Sequence, residues 1–253
     1  MTVPPSHAAA IEFDHVSFAL NGRPLLRDLS FSVQPGETMV LLGRSGSGKT
    51  TALKLVNRLL LATTGEVRVN GQPTTAWDPI RLRRSVGYVI QDGGLFPHFT
   101  VERNIALVPR IENWPQDRVT ARVHELLDTV GLSRDLAARY PSQLSGGQRQ
   151  RVGVARALAA DPPILILDEA FGALDPITRS EMQKEFHALQ HRLRKAVIFV
   201  THDLREALLL ADRILLLEAG GVIVNLPAAE FSRSDNALVR AYVEAFAGSP
   251  QPQ

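Results

Sequence analysis

Gly43-Arg44-Ser45-Gly46-Ser47-Gly48-Lys49-Thr50 has the glycine spacing and terminal lysine and hydroxyl that suit one chemistry, the cradling of phosphate. Glycines let backbone N–H groups approach anionic oxygens, and a helix that starts there turns its positive end toward the same charge. Lys49 is expected to reach the β- and γ-phosphates. The Thr50 hydroxyl would supply one oxygen of a Mg²⁺ shell completed by phosphates and water. Upstream, Thr38-Met39-Val40-Leu41-Leu42 reads as a buried strand; downstream, residues 51–60 place Leu53, Val56, Leu59 and Leu60 on one helical stripe. A glycine-rich turn with an incidental lysine would need neither flank. By itself the segment implies a phosphorylated ligand and no particular reaction.

Two continuous apolar runs, Ile164-Leu165-Ile166-Leu167 and Val197-Ile198-Phe199-Val200, have the pattern of parallel strands covered on both faces. Each ends in residues capable of chemistry. Open parallel sheets bind ligands outside the carboxyl ends of their strands, so Asp168, Glu169 and His202 are expected at the edge that carries the phosphate loop. Neighbours on an extended strand face opposite ways, so the two acids can take different roles: Asp168 would hold Mg²⁺, directly or through water, and Glu169 would polarise the water that attacks the γ-phosphate. Two acids that merely end a strand would have neither role. His202 could contact the γ-phosphate or orient that water, although a lone histidine is also an ordinary structural residue. Gln91 closes an expected strand over 86–90 and could touch both Mg²⁺ and water.

Leu144-Ser145-Gly146-Gly147-Gln148 has a plain explanation at its ends. Ser145 and Gln148 form a capping box that opens a helix over 149–158. The middle is different, because each glycine in a first helical turn costs up to about 1 kcal/mol relative to alanine. Bare N–H groups at a helix start would make a second anion site.

Around these segments, residues 11–42 alternate apolar and polar, with turn signals at Asn21-Gly22 and Pro35-Gly36, and predict strands joined by hairpins. Gly65-Glu66-Val67-Arg68-Val69-Asn70-Gly71 adds another strand, so an antiparallel sheet is expected beside the nucleotide core. From 95 to about 160 the pattern is mostly helical, with Val123, Leu126, Leu127 and Val130 on one face of 119–130. Helices over 177–193 and 204–210 would cover the sheet. The 253 residues are 45% hydrophobic with a formal net charge of +2, enough for a full core and too little charge to argue for nucleic acid. There are no cysteines, hence no disulfide or thiolate metal site. No apolar run approaches the ~18 to 20 residues of a membrane span. The first ten residues and 248–253 are expected to be loose. His187 and His191, four apart on a helix without a third ligand, read as a solvated face, as do the basic runs 81–84 and 191–195.

Together, Gly43 to Thr50, Ser145 to Gln148, Ile164 to Glu169 and His202 resemble the nucleotide-binding subunit of ATP-binding cassette (ABC) transporters over about 11–225. The resemblance implies an α/β fold: a P-loop NTPase core with a central, mainly parallel sheet, an antiparallel β subdomain and a helical insertion. As a single domain, it would divide into core and β subdomain at about 11–90 and 160–225, a helical part at 92–160 and a tail at 226–253. It also implies head-to-tail pairing, in which ATP on Gly43, Arg44, Ser45, Gly46, Ser47, Gly48, Lys49, Thr50, Thr51 and Gln91 of one subunit is closed by Ser145, Gly146, Gly147 and Gln148 of the other. Glu169 and His202 would be catalytic; Thr50, Gln91 and Asp168 would hold Mg²⁺. Asp175, in Ala173-Leu174-Asp175, would communicate across the junction. Closure on ATP and reopening on hydrolysis would drive transmembrane permease subunits from the cytoplasmic face of the inner membrane, fed by an extracytoplasmic solute-binding protein.

Within the family, Asp78 to Arg84, Gly94 to Thr100 and Phe171 to Arg179 look most like importers of glycine betaine, choline and related osmoprotectants. Other cargo, such as amino acids, other small solutes or lipids, stays open, as does pairing with an identical copy or a paralogue. An ABC ATPase acting on DNA or ribosomes would carry long coiled coils or two cassettes. The apolar segment 95–105, with Phe96 and Phe99, is expected to line the groove for a permease helix. Three departures stand out: Leu20 replaces the aromatic that stacks on adenine, leaving Phe18 as a candidate; Ala170 replaces a proline; and the 253 residues end soon after the core, where many osmoprotectant ATPases carry paired regulatory domains.

Overall fold

The two hydrophobic patterns of the sequence become two sheets in the computed structural model, which describes residues 8–247. The alternating segments come first. β1 (Ile11–Leu20) and β2 (Arg23–Val33) pair antiparallel from Ile11 opposite Val33 to Leu20 opposite Arg23. Asn21 and Gly22 take positive φ, 51° and 78°, the left-handed turn geometry that matches strand twist. After β3 (Thr38–Leu42) and α1 (Lys49–Val56), β4 (Thr64–Val69) and the short β5 (Gln72–Pro73) complete the order β2-β1-β4-β5. Phe13 and Phe31 stack on its buried face with ring centroids 4.4 Å apart.

The continuous apolar runs build the second sheet. α2 (Pro79–Arg84) precedes β6 (Val86–Val89), and then come α3 (Val101–Ile105), α4 (Leu107–Ile111), α5 (Gln116–Thr129) and α6 (Gly146–Leu158) before β7 (Ile164–Asp168). α7 (Pro176–Leu193), β8 (Ala196–Thr201), α8 (Leu204–Leu210), β9 (Arg213–Glu218), β10 (Gly221–Pro227), α9 (Ala228–Phe231) and α10 (Ala237–Ala247) follow. The strand order is β10-β9-β3-β8-β7-β6, parallel throughout except at β9–β10. Every residue of β3 and β8 is buried, as expected for strands covered on both faces. This is the expected α/β fold, with a mainly parallel core sheet, an antiparallel sheet beside it and helices inserted between β6 and β7. Because β3, β8 and β7 are neighbours, their carboxyl ends share one edge.

Two expectations change. The helix anticipated over 51–60 is α1, which begins at Lys49 and ends at Val56. Arg58 is left-handed (φ 53°), Leu59 N donates to Lys54 O at 2.8 Å and Arg58 N to Leu55 O at 3.2 Å. That bond pair terminates the helix, so Leu59 leaves the stripe and is 54% exposed. Nor are all of the first ten residues loose: Ala10 is buried, its N–H donates to Val33 O and its carbonyl accepts from Asn70 N, both at 2.9 Å. Residues 1–7 and 248–253 lie outside the described residues.

Glu206 of α8 is buried, with Gln183 Nε2 donating to its carboxylate at 3.1 Å. Burial pushes this carboxyl above its ordinary value, against hydrogen bonds from Thr201 and Gln183. The native state therefore binds the proton more tightly than the unfolded one, and the group's contribution to stability falls as pH rises through that interval. Melting curves should show Glu206→Gln gaining more over the native chain at pH 8 than at pH 4.5. An equal difference at both pH values would refute the assignment.

Candidate nucleotide site

The phosphate loop is shaped by close contacts that exclude side chains. A Cβ at Gly43 would lie 2.4 Å from Leu217 O, and one at Gly48, where φ is +105°, would lie 2.5 Å from Leu26 Cδ2. Gly48 is the N-cap of α1 and offers no side-chain acceptor, so the first-turn N–H groups of Lys49, Thr50 and Thr51 stay open to an anion. Lys49 is 5% exposed, and its Nζ donates to Gly43 O at 2.7 Å and Arg44 O at 2.9 Å. Burial pulls its pKa down, while Glu169, Asp168 and Glu218 oppose the shift. Its ammonium is thus held inside the loop by weak neutral acceptors that phosphate oxygens can replace.

Asp168, the last residue of β7, meets this loop. Its Oδ1 accepts from Thr50 Oγ1 at 3.1 Å and its Oδ2 from Tyr88 Oη at 3.2 Å. Burial raises the Asp168 pKa, and those two hydrogen bonds counter it. Tyr88 was not legible as a site residue; its only signal is a polar tip inside the apolar strand β6, and burial raises that phenol too.

Glu169 corrects the strand argument. It lies beyond β7 at φ 46°, so a left-handed turn rather than strand alternation separates it from Asp168. Its N–H donates to Val200 O at 3.0 Å and its carbonyl accepts from Gly172 N at 3.1 Å, which pins that turn. A non-glycine residue there stores about 1–3 kcal/mol of strain. Glu169 Oε2 comes to 3.6 Å from His202 Nδ1, and the imidazole is 61% exposed. Gln91 does not end a strand: β6 stops at Val89, and exposed Gln91 opens a 3₁₀ turn, with its Nε2 4.0 Å from the point a Cβ on Gly172 would occupy.

Ser145 and Gln148 make the expected box, with Ser145 N donating to Gln148 Oε1 at 2.9 Å and Gln148 N to Ser145 Oγ at 3.2 Å. The two glycines prove unequal. A Cβ on Gly147 would sit 2.7 Å from Thr178 Cγ2 of α7, so packing favours glycine there unless that threonine side chain shifts. At Gly146 the nearest contact is an ordinary 3.5 Å to Leu174 Cδ2, which leaves that position without a packing cause. None of these four residues lines the cleft of about 510 Å³ at Arg44, Ser45, Glu169 and His202. Asp175 caps α7, its Oδ1 accepting from Ile177 N at 3.1 Å and Thr178 N at 3.0 Å; bonds from Thr178 lead in lowering its pKa.

Phe18 is 7% exposed within the core beneath β1 and cannot stack on adenine, while Leu20 is 52% exposed. In segment 95–105, Phe96 is 40% exposed and Phe99 half-buried, their rings 5.3 Å apart beside a cleft of about 320 Å³ lined by Ile90, Leu107 and Arg156. Buried Asn104, another residue missed in the sequence, shapes that segment by bonding Phe96 N and the carbonyls of Phe96, Phe99 and Thr100. His187 and His191 approach each other at 3.3 Å, and among the described residues no group of three or more metal-ligating side chains occurs. No helix there is long and apolar enough to cross a membrane.

The family model described as "ABC transporter" matches residues 26–172. The chain belongs to the ABC transporter family. It is 45% identical over 223 residues to the glycine betaine/carnitine/choline transport ATP-binding protein OpuCA of Bacillus subtilis, covering 88% of this chain and 59% of that protein. It is 46% identical to the glycine betaine uptake system ATP-binding protein YehX of Escherichia coli, covering 92% of this chain and 76% of YehX. The chain thus spans little more than half the length of several curated relatives it matches. Among solved structures, this ABC chain superposes on CbiO1 of Clostridium perfringens with a TM-score of 0.82 at 26% identity, covering 93% and 95% of the two chains. A dimeric structure of the bacterial ABC cassette MJ0796 matches with a TM-score of 0.76 at 32% identity, covering 86% and 98%.

Proposed function

We propose that this chain is the ATP-binding and ATP-hydrolysing subunit of an ABC importer for a quaternary-ammonium osmoprotectant such as glycine betaine or choline. The observation that carries the reading is the convergence of Lys49, Thr50, Asp168, Glu169 and His202 on one sheet edge in a chain of this family. On nucleotide entry Lys49 exchanges the Gly43 and Arg44 carbonyls for phosphate oxygens. Glu169 takes a proton from the attacking water, and His202 holds the γ-phosphate side of that water in place.

The donor set at Thr50 and Asp168 is all oxygen and already in mutual contact, which fits Mg²⁺; Thr50, Asp168 and Gln91 would hold it. Bound there, the ion would neutralise charge on the β- and γ-phosphates. Ser145, Gly146, Gly147 and Gln148 serve the ATP of a second copy, in keeping with the dimeric MJ0796 cassette. Asp175 lies at that junction. In this reading 11–90 and 160–225 bind nucleotide, 92–160 meets the permease through Phe96 and Phe99, and 226–253 forms the tail. The subunit works at the cytoplasmic membrane face with permease and solute-binding protein.

The cargo reading is supported by relatives named for glycine betaine, carnitine, choline or osmoprotectant transport. A second reading, another small solute, is favoured by 44% identity to a sulfate/thiosulfate import ATP-binding protein of Cucumis sativus. Uptake of radiolabelled betaine, choline, sulfate and an amino acid by proteoliposomes holding this chain with its co-purifying permease separates them. Betaine or choline uptake is expected; uptake of sulfate or amino acid alone would displace the osmoprotectant reading.

A further inference from the structure

Helix α10 runs past the phosphate end of the nucleotide site, although no motif links it to that site. A single stripe holds it: Val239 is buried, and Tyr242, Val243 and Phe246 are half-buried against the main core. At its far end Arg205 of α8, three residues beyond His202, donates to Phe246 O at 3.5 Å. The helix is therefore held to α8 beside the His202 corner. Tyr242 and Phe246 form one wall of the cleft whose other walls include Arg44, Ser45, Glu169 and Glu218.

The Tyr242 hydroxyl is the contact of interest. Its Oη is shielded from solvent yet has no partner at standard hydrogen-bond geometry. Leaving such a group unpaired is unfavourable, so a nearby donor that can swing onto it is favoured. Arg44 is that donor: it is exposed on the loop, borders the same cleft and has five N–H groups to offer. Burial and the Glu218 carboxylate push the phenol up, and Arg44 acts against both. Glu218 also bears on Lys49, and Leu217, just before it, supplies the carbonyl against which Gly43 is packed. The end of β9, the phosphate loop and α10 thus border one cleft, with the Tyr242 ring in its wall.

We propose that Tyr242 is a positioning residue of the nucleotide site, which takes up the Arg44 guanidinium and makes the docking of α10 set how firmly the phosphate loop holds nucleotide. The proposal rests on the nucleotide-binding reading above. It gives the C-terminal helix a direct effect on ATP affinity that acts through one side chain of the loop rather than through general packing.

Fluorescent-ATP titration of the full chain tests it with a double-mutant cycle. Tyr242→Phe keeps the ring and its packing, and should weaken binding about three- to tenfold, the size of one net hydrogen bond. Arg44→Ala should weaken it as well, and the double variant should be no weaker than Arg44→Ala, because coupled residues are not additive. Native affinity in Tyr242→Phe, or losses that multiply in the double variant, would overturn the proposal. If Tyr242→Phe also lowers the ligand-free melting temperature, the cycle still decides, since lost packing would multiply with Arg44→Ala. A native chain that binds no nucleotide would overturn the functional reading itself; native binding with an indifferent Tyr242 overturns only this proposal.

Discussion

Glu169→Gln is expected to bind ATP normally, lose hydrolysis by about 10²- to 10⁴-fold, the usual contribution of a general base, and accumulate as an ATP-bound dimer. Glutamine has the length and shape of the native side chain, so the left-handed turn at residue 169, fixed by backbone bonds to Val200 and Gly172, should persist. What disappears is the capacity to accept a proton 3.6 Å from His202. Lys49, Thr50 and Asp168 remain untouched, which is why affinity should survive. Steady-state phosphate release, with light scattering of the chromatographed protein in ATP, measures both effects. Ordinary turnover in this variant would take the base role away from Glu169.

Gly146→Asp should uncouple binding from closure. The structure has room for a Cβ there, the nearest atom being Leu174 Cδ2 at 3.5 Å, and an acid in a first helical turn stabilises a helix by about 0.3–1 kcal/mol. The monomer should therefore fold and bind ATP. A carboxylate at the start of α6 would nonetheless repel the partner's phosphates, and ATP-induced dimerisation and hydrolysis should fall at least about tenfold, a cost of 1.4 kcal/mol or more. Gly147→Ala makes the contrast. Its Cβ would press to 2.7 Å from Thr178 Cγ2, so loss of stability should dominate there. A Gly146→Asp protein that dimerises and turns over like the native chain would exclude this helix start as the site for the partner's phosphates.

These two glycines show how far a sequence argument reaches. Spacing placed both at a helix start, because the capping box spans only Ser145 to Gln148 and is encoded within that span. It could not separate them, since the difference lies in Thr178 on another helix. The end of α1 has the same lesson at shorter range: the apolar stripe continued to Leu60, but a left-handed Arg58 closed the helix at Val56. Periodicity records which residues prefer burial and is silent on where the backbone turns.

Residue order alone was enough for the family, the buried strands β3, β7 and β8, the phosphate loop, the aspartate that ends β7 and the glutamate and histidine just past the strands. Each of these is written in hydrophobic period, glycine spacing or capping over a few neighbouring residues. Folding was needed to bring Thr50 to Asp168 across 118 residues and Tyr88 to it across 80. Folding likewise turns Glu169 onto Val200 O, seals Phe18 in the core and sets Tyr242 in the same cleft as Arg44. One cause underlies all of them. Such contacts are created by strand order and helix packing, which bring distant segments together, and no local pattern of residue types records a neighbour that the chain reaches only after folding.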